Sequence, residues 1–575
     1  MRSSILSAWL VLLSATVCIS KVNLSLWQAV RNDDLNLVKQ LLENGTDVKA
    51  STDEGLTLLM YLSKWSRTVR SLNNRKQLLE LVLPASDPKA ADNEGNTALM
   101  YAAREGNHTI VEMILPVSDP KASNNEGTTA LIFAVWSGNE TIVEILLPVS
   151  DTKATHKGGI TGGMTALIEA ARGGNEKIVD LLIPVSDTNA ADEDGATALM
   201  YAARGENEKM IQLLIPVSNA NTTDKDGETA LFYAAKYSDN EKVIKLLLPV
   251  SDTNARNNRG KTALMSAIRY PYENEKMAEI LIPVSDTNMT DKYGETALFY
   301  AVAKGNKKLV ELLLPLSDVN AKNTLLGRTV LMVAVQNNKI DMVELLLPVS
   351  DAKETDNYGF TALILSAEYN FISSKIVELL LPVSDAKASN SGGLTALIEA
   401  ARNKNLRKVE LLLPVSNANA KAGWTALHYA VLKEQEKMVE ILVPVSDGNA
   451  TNINGDTPLL IAIQQENERI VQLVLPISDA KRTDPYDGET ALIYAARWKN
   501  EKMVEVLIPL SDAKASNNDG ENALMAAAKK GNVKSVELLI PVSDIKAINN
   551  NGKTALDIAK SSGNDQIVEL LQQHM

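Results

Sequence analysis

One register of residues, repeated along most of the chain, leaves few folds open. Aligned on a dipeptide that is mostly Thr-Ala, the 575 residues show anchors at Thr57, Thr97, Thr129, Thr165, Thr197, Thr229, Thr262, Thr296, Thr329, Thr361, Thr395, Thr425, Thr457, Thr490 and Thr554, with Asn522 in one slot. After a first interval of 40 residues, every spacing lies between 30 and 36. Fifteen of the twenty prolines share one further position, from Pro84, Pro116 and Pro148 through to Pro509 and Pro541. A period of this length marks a supersecondary unit that cannot bury its apolar side alone, so neighbours must stack. The expected architecture is an all-α repeat solenoid of helix–loop–helix units joined by extended turns.

The unit from Asn93 to Ala122 shows how the register builds structure. Gly95 supplies backbone freedom for a tight turn. Thr97 then caps a short helix, in which Leu99, Ala102 and Ala103 recur at helical spacing and face inward. The alanine pair lets neighbouring helices approach closely. Gly106-Asn107 breaks the chain, and a second helix follows with Ile110, Val111, Ile114 and Leu115 apolar. Pro116 is expected to end it, because proline lacks a donor and restricts the residue before it.

This turn–helix–loop–helix unit resembles an ankyrin repeat, most closely in LMYAAREGN, IVEILL and SDTNAADEDG, from about residue 24 to 575. Two features depart from the family pattern. The Thr-Pro-Leu-His signature is mostly Thr-Ala-Leu-Met or Thr-Ala-Leu-Ile here; Thr425–His428 alone keeps the histidine and Thr457-Pro458 alone the proline. Pro-Val-Ser-Asp stands where the family has a glycine after the second helix. Losing the histidine is expected to remove a polar link around the turn and leave more of the stacking to apolar contact. About seventeen units are expected: a degenerate first one over 21–50, tandem repeats over 51–550, and a capping repeat over 551–575 that turns polar at Asp557, Lys560 and Gln572.

Residues 1–20 differ from the rest. One basic residue precedes an apolar run from Ile5 to about Val17, the pattern of a secretory signal peptide and too short for a stable membrane span. The only cysteine, Cys18, lies within it. A secreted or lumenal protein is therefore expected, the alternatives being a secreted effector acting on a host cell and a cytosolic scaffold with an uncleaved N-terminus. Seven Asn-x-Ser/Thr sequons are about what this composition gives by chance.

Chemistry is hard to find in the repeats. Gly260-Lys261-Thr262 and Gly552-Lys553-Thr554 end like phosphate-binding loops, but Ala255 and Ala547 stand where the required first glycine belongs. His108, His156, His428 and His574 are too scattered along a stack to share a metal. A net charge of −13 disfavours nucleic acid, whose phosphates need a basic stripe. No catalytic, cofactor or metal site is expected, and the chain is read as a non-enzymatic protein-binding scaffold.

The candidate contacts lie on the first helices. Four residues after the anchor stands Tyr in seven units: Tyr61, Tyr101, Tyr201, Tyr233, Tyr300, Tyr429 and Tyr494. Seven residues after it stands Arg or Lys in eight: Arg104, Arg172, Arg204, Lys236, Arg269, Arg402, Arg497 and Lys529. The two positions are expected to share a face opposite the buried set. The resemblance implies that this helix lines a concave surface, giving an aromatic and basic ladder suited to a protein or extended, acidic peptide. Trp136, in the basic column, and the exposed aromatics at irregular turns, Trp424 and the pair Tyr270/Tyr272, complete the candidates. The competing reading is internal: Tyr as packing, and Arg as a helix-dipole or cation–π partner.

Overall fold

Each anchor threonine takes the place that its hydroxyl fits best, the start of a helix. In the computed structural model, which describes residues 24–64, 72–157, 162–268, 274–498 and 500–575, Thr97 is extended (φ −98°, ψ 168°) and its side chain accepts the N–H of Met100, capping Ala98–Arg104. Thr129 caps Ala130–Ser137 and Thr490 caps Ala491–Arg497 in the same way. Asn522 serves equally well over Ala523–Lys530, as expected of a side chain among the best N-caps. The second helix has its own cap. Asn107 accepts the N–H of Ile110 ahead of His108–Ile114, and Asn139, Asn175, Asn207, Asn467 and Asn500 repeat the device.

The proline works differently from the expectation. Leu115 stays helical (φ −52°, ψ −44°) although Pro116 follows it, and Leu115–Val117 form a tight 3₁₀ turn with proline inside. Proline's fixed φ suits a helical first turn, where its missing N–H is an orphan anyway. The α-helix thus tightens at Leu115 before the chain turns extended at Ser118. Proline sets the exit angle of the chain.

The chain divides into two compact units, Met1–Lys292 and Tyr293–Met575. The described part of the first runs from helix Leu24–Arg31 to helix Glu275–Leu281, and the second from Ala297–Lys304 to Asp565–His574. Among the described residues there are 34 α-helices, and strand is confined to the small hairpin Thr155–His156/Met164–Thr165. Within each unit, first helices pack on first helices of the next repeat and second on second. Leu99, Ala102, Ala103, Val111 and Ile114 are completely buried, and a fully buried Leu or Ile contributes about 1.5–3 kcal/mol. The turns add a hydrogen-bonded rung per step: Asn93 N–H donates to Glu54 C=O, and Asn125 N–H to Glu94 C=O at 2.9 Å. Gly95 (φ +84°) cannot be replaced cheaply, since a Cβ there would meet Asn125 N at 2.8 Å. No described helix is long and apolar enough to cross a membrane. The signal-like segment 1–20, residues Trp65, Arg67 and Arg70, and Arg269, Tyr270 and Tyr272 lie outside the described residues.

Candidate functional site

The two candidate columns turn out to have different surroundings. Tyr101 is only 5% exposed, because its ring lies beneath the turn of its own repeat and its hydroxyl donates to Asp92 Oδ2 at 2.6 Å. The other oxygen, Asp92 Oδ1, accepts the N–H groups of Glu94 and Asn96 and so closes that turn. Tyr201 and Tyr233 repeat the bond to Asp192 (2.7 Å) and Asp224 (2.9 Å). Burial, together with that carboxylate, pushes the Tyr101 and Tyr233 phenols well above their ordinary range, and burial pushes Tyr494 up to about 12. The expected open face therefore fails at Tyr101, while the other tyrosines of the column stay partly exposed. Tyr101, Tyr201 and Tyr233 lace their first helices to their own turns.

The side chains seven residues after the anchor point outward, and they divide into three sets. Lys236, Arg497 and Lys529 reach back to the residue just before the anchor, pairing with Glu228 (3.2 Å), Glu489 and Glu521 (2.8 Å). Arg172 and Arg402 pair instead with a buried carboxylate on their own helix, Glu169 at 3.6 Å and Glu399 at 3.3 Å. Burial pushes the Glu399 carboxyl upward, and Arg402 partly offsets it. Arg104 and Arg204 have no such partner. Arg104 lies 5.6 Å from the Tyr101 ring centre and 4.0 Å from partly buried Glu105. Arg204 lies over Tyr237 at 5.1 Å with no carboxylate at ion-pair distance among the described residues. Both arginine side chains are exposed, and a cation–π contact at an exposed site gains only about 0.5–1 kcal/mol, so both guanidiniums stay available.

Within the first unit this column is unbroken over six consecutive repeats: Lys64, Arg104, Trp136, Arg172, Arg204 and Lys236. Lys64, 5.1 Å from the Tyr101 ring, is missed when the long interval after Thr57 distracts from its register, although counting seven from Thr57 finds it. In the second unit the same register reads Ala303, Gln336, Glu368, Arg402, Leu432, Gln464, Arg497 and Lys529, and it is not a basic stripe.

A cavity of about 700 Å³ opens in the column at Trp136 and Arg172. The unit of Thr165 carries Glu169 where others carry tyrosine, and the carboxylate turns inward to His156 Nε2 at 2.7 Å, both residues being buried. The cavity lies beside this pair, lined also by Glu126, Trp136, Gly138, Arg172, Gly173 and Asn175. Trp136 meets Phe133 and His156 edge to face at 5.3 and 5.0 Å, which leaves its indole 45% exposed. His156 and Glu169 have no mark in the sequence beyond the break in the tyrosine column.

In the second unit, Trp424 lies at 5.5 Å against Tyr429 and 5.8 Å from His428. The structure thus brings Trp424 and Tyr429 together at the shortened turn, and sets Tyr494 and Arg497 two repeats further on. Among the described residues no cluster of three His, Cys, Asp or Glu is arranged to hold a metal.

A family model described as ankyrin repeats (3 copies) matches ten overlapping segments of the chain, from 68–158 to 500–575, which together cover 68–575. The chain belongs to the ankyrin-repeat family. Compared with the curated proteins, it matches none. Ankyrin repeats are generally protein–protein interaction modules and typically non-enzymatic, so protein partners follow from the family. The one repeat with the family histidine also shows what the others replace. His428 Nδ1 accepts the Thr425 N–H at 3.2 Å, which leaves Nε2–H to donate to Asp456 C=O in the next repeat at 3.2 Å. Burial holds its pKa down at about 4. Where methionine stands instead, Met60, Met100 and Met200 offer Sδ to the same anchor N–H at 3.4 Å. The methionine keeps the bond within the repeat and loses the one between repeats.

Proposed function

We propose that this ankyrin solenoid is a non-enzymatic binding module that holds an acidic, extended segment of a partner protein against the first helices of its N-terminal unit, the concave side in the family. The observation that carries this reading is the column of cations Lys64, Arg104, Arg172, Arg204 and Lys236, interrupted only by Trp136, on a chain of net charge −13. A basic stripe on an acidic molecule concentrates field locally and steers acidic partners. Arg104 and Arg204, the two least committed to internal pairs, are the expected primary contacts. The signal-like residues 1–20 support placing this encounter outside the cytosol, which detection in medium against lysate decides.

The test uses the full chain. Glu- and Asp-rich peptides carrying fluorescein, with Lys-rich peptides as controls, are titrated with wild type and with the Arg104→Glu/Arg204→Glu variant. The acidic peptides are expected to bind, with affinity that falls as salt rises, and the variant to lose at least about tenfold, equivalent to about 1.4 kcal/mol. Equal binding of acidic and basic peptides, or an unaffected variant, rejects the reading.

A further inference from the structure

The aromatic interruption of the basic column fixes more than the sign of the partner's charge. Resting on the acidic-partner reading above, we infer that the cavity beside Trp136 takes an aromatic side chain of the bound segment, set at a fixed spacing from its acidic residues. Trp136 makes T-shaped contacts with Phe133 and His156, stays 45% exposed and lines a cavity of about 700 Å³, ample for one ring. Aromatic pairs favour offset or edge contacts of this kind. The glycine wall keeps the cavity open, since a Cβ added at Gly173 would meet nothing within 4 Å. The charges at the cavity also select. Glu169 is already engaged by His156 and Arg172, and the other charges lining the cavity, Glu126 and Arg172, are of opposite sign, so a neutral aromatic group fits best.

The spacing follows from geometry. Packed helices lie about 8–10 Å apart, and an extended chain advances about 3.3 Å per residue. One repeat therefore corresponds to about three residues of bound peptide. Arg104 lies one repeat from Trp136 on one side and Arg204 two repeats away on the other. The recognised segment carries an acidic residue three positions from the aromatic anchor on one side and six positions on the other. Chain polarity is not fixed by the column, so both orders belong to the test.

The experiment is a fluorescence-anisotropy titration of the full chain with two peptides. One reads Glu-Ala-Ser-Phe-Ala-Ser-Gly-Ala-Ser-Glu and the other is its reverse. One of them is expected to bind at least about tenfold tighter than its Phe→Ser version, than its Phe→Arg version, and than a version with Phe moved by two positions. Trp136→Ala is expected to remove that preference, so that it binds the Phe and Phe→Ser peptides alike, and Trp136→Phe to restore part of it. Because the peptide substitutions leave the protein untouched, misfolding of a variant cannot mask the answer. If acidic peptides bind but the Phe, Ser and Arg versions bind alike, the anchor inference is overturned and the acidic-partner reading stands. If no acidic peptide binds, both fall.

Discussion

At the scale of single residues, the departures from the family signature exchange one bond for another. Methionine at the third helical position reads as core in the sequence, and Met100 is indeed buried, yet its sulfur also accepts the Thr97 N–H. That role is invisible in a hydrophobicity pattern, because a thioether is both apolar and a weak acceptor. His428 does the same with a ring that titrates. Its pKa is about 4 in the folded chain against 6.5 for an ordinary histidine, so the folded state binds fewer protons than the unfolded between those values. Stability from His428 is therefore complete above pH 6.5 and is lost as pH falls toward 4, by up to about 3 kcal/mol. His428→Met, which copies the neighbouring repeats, is expected to flatten this acid limb. Urea midpoints of wild type and variant, compared at pH 7 and pH 4.5, check it; parallel losses in both proteins would show that His428 does not carry the effect.

At the scale of the helix, what the sequence makes legible is the period and the apolar faces. The predicted helices at Thr97 and His108 match the observed Ala98–Arg104 and His108–Ile114 almost residue for residue. Less legible is the asparagine before each second helix, which reads as a breaker beside glycine but works as a cap and a tie. Asn139 accepts the N–H of Ile142 and donates through Nδ2 to Gly106 C=O of the preceding repeat at 2.9 Å. Sequence spacing carries no sign of the second bond, because it depends on how two repeats sit together. Loss of the cap costs about 1 kcal/mol and loss of the tie about another 1 kcal/mol, so Asn139→Ala is expected to destabilise by about 2 kcal/mol. The converse also holds. Lys339 occupies the cap position of Ile340–Leu346 with no side-chain bond, and Lys339→Asn is expected to stabilise by about 1 kcal/mol. Chemical unfolding of both variants checks the pair, and a neutral Lys339→Asn would mean the backbone there does not accept the cap. The broken register around Phe371 shows the same dependence on neighbours. The helix Ala362–Glu368 ends without a glycine cap, and Lys408 from the next repeat donates to Ser366 C=O and Tyr369 C=O at 2.7 Å each. Burial holds that ammonium down at about 8.

At the scale of the whole molecule, one register position does two different jobs. In the second unit Arg497 pairs with Glu489, a carboxylate with no solvent exposure that also accepts from Asn517. Removing the cation would leave that charge buried and uncompensated, which typically costs 3–5 kcal/mol; with the Arg497 side chain a third exposed, about 2–3 kcal/mol is expected. In the first unit Arg104 is largely in water, with Glu105 at 4.0 Å, and exposed pairs of that kind contribute about 0–1 kcal/mol. Arg104→Ala is therefore expected to change stability by no more than about 0.5 kcal/mol while weakening acidic-peptide binding, and Arg497→Ala to do the reverse. Chemical unfolding and peptide titration on the same two variants separate the roles. Loss of binding in both, with stability unchanged in both, would mean that the ladder serves the ligand along both units. Loss of stability in both, with binding intact, would mean that it is internal throughout. The sequence alone shows a column of arginines at equal spacing. The residue that separates these cases stands one before the anchor, Asn96 before Thr97 and Glu489 before Thr490, but spacing alone does not show that the cation reaches back eight residues to meet it. A cation with a carboxylate eight residues behind it is held by its own repeat. One with no carboxylate either eight or three residues behind it, such as Arg104 or Arg204, is left to face whatever the solenoid binds.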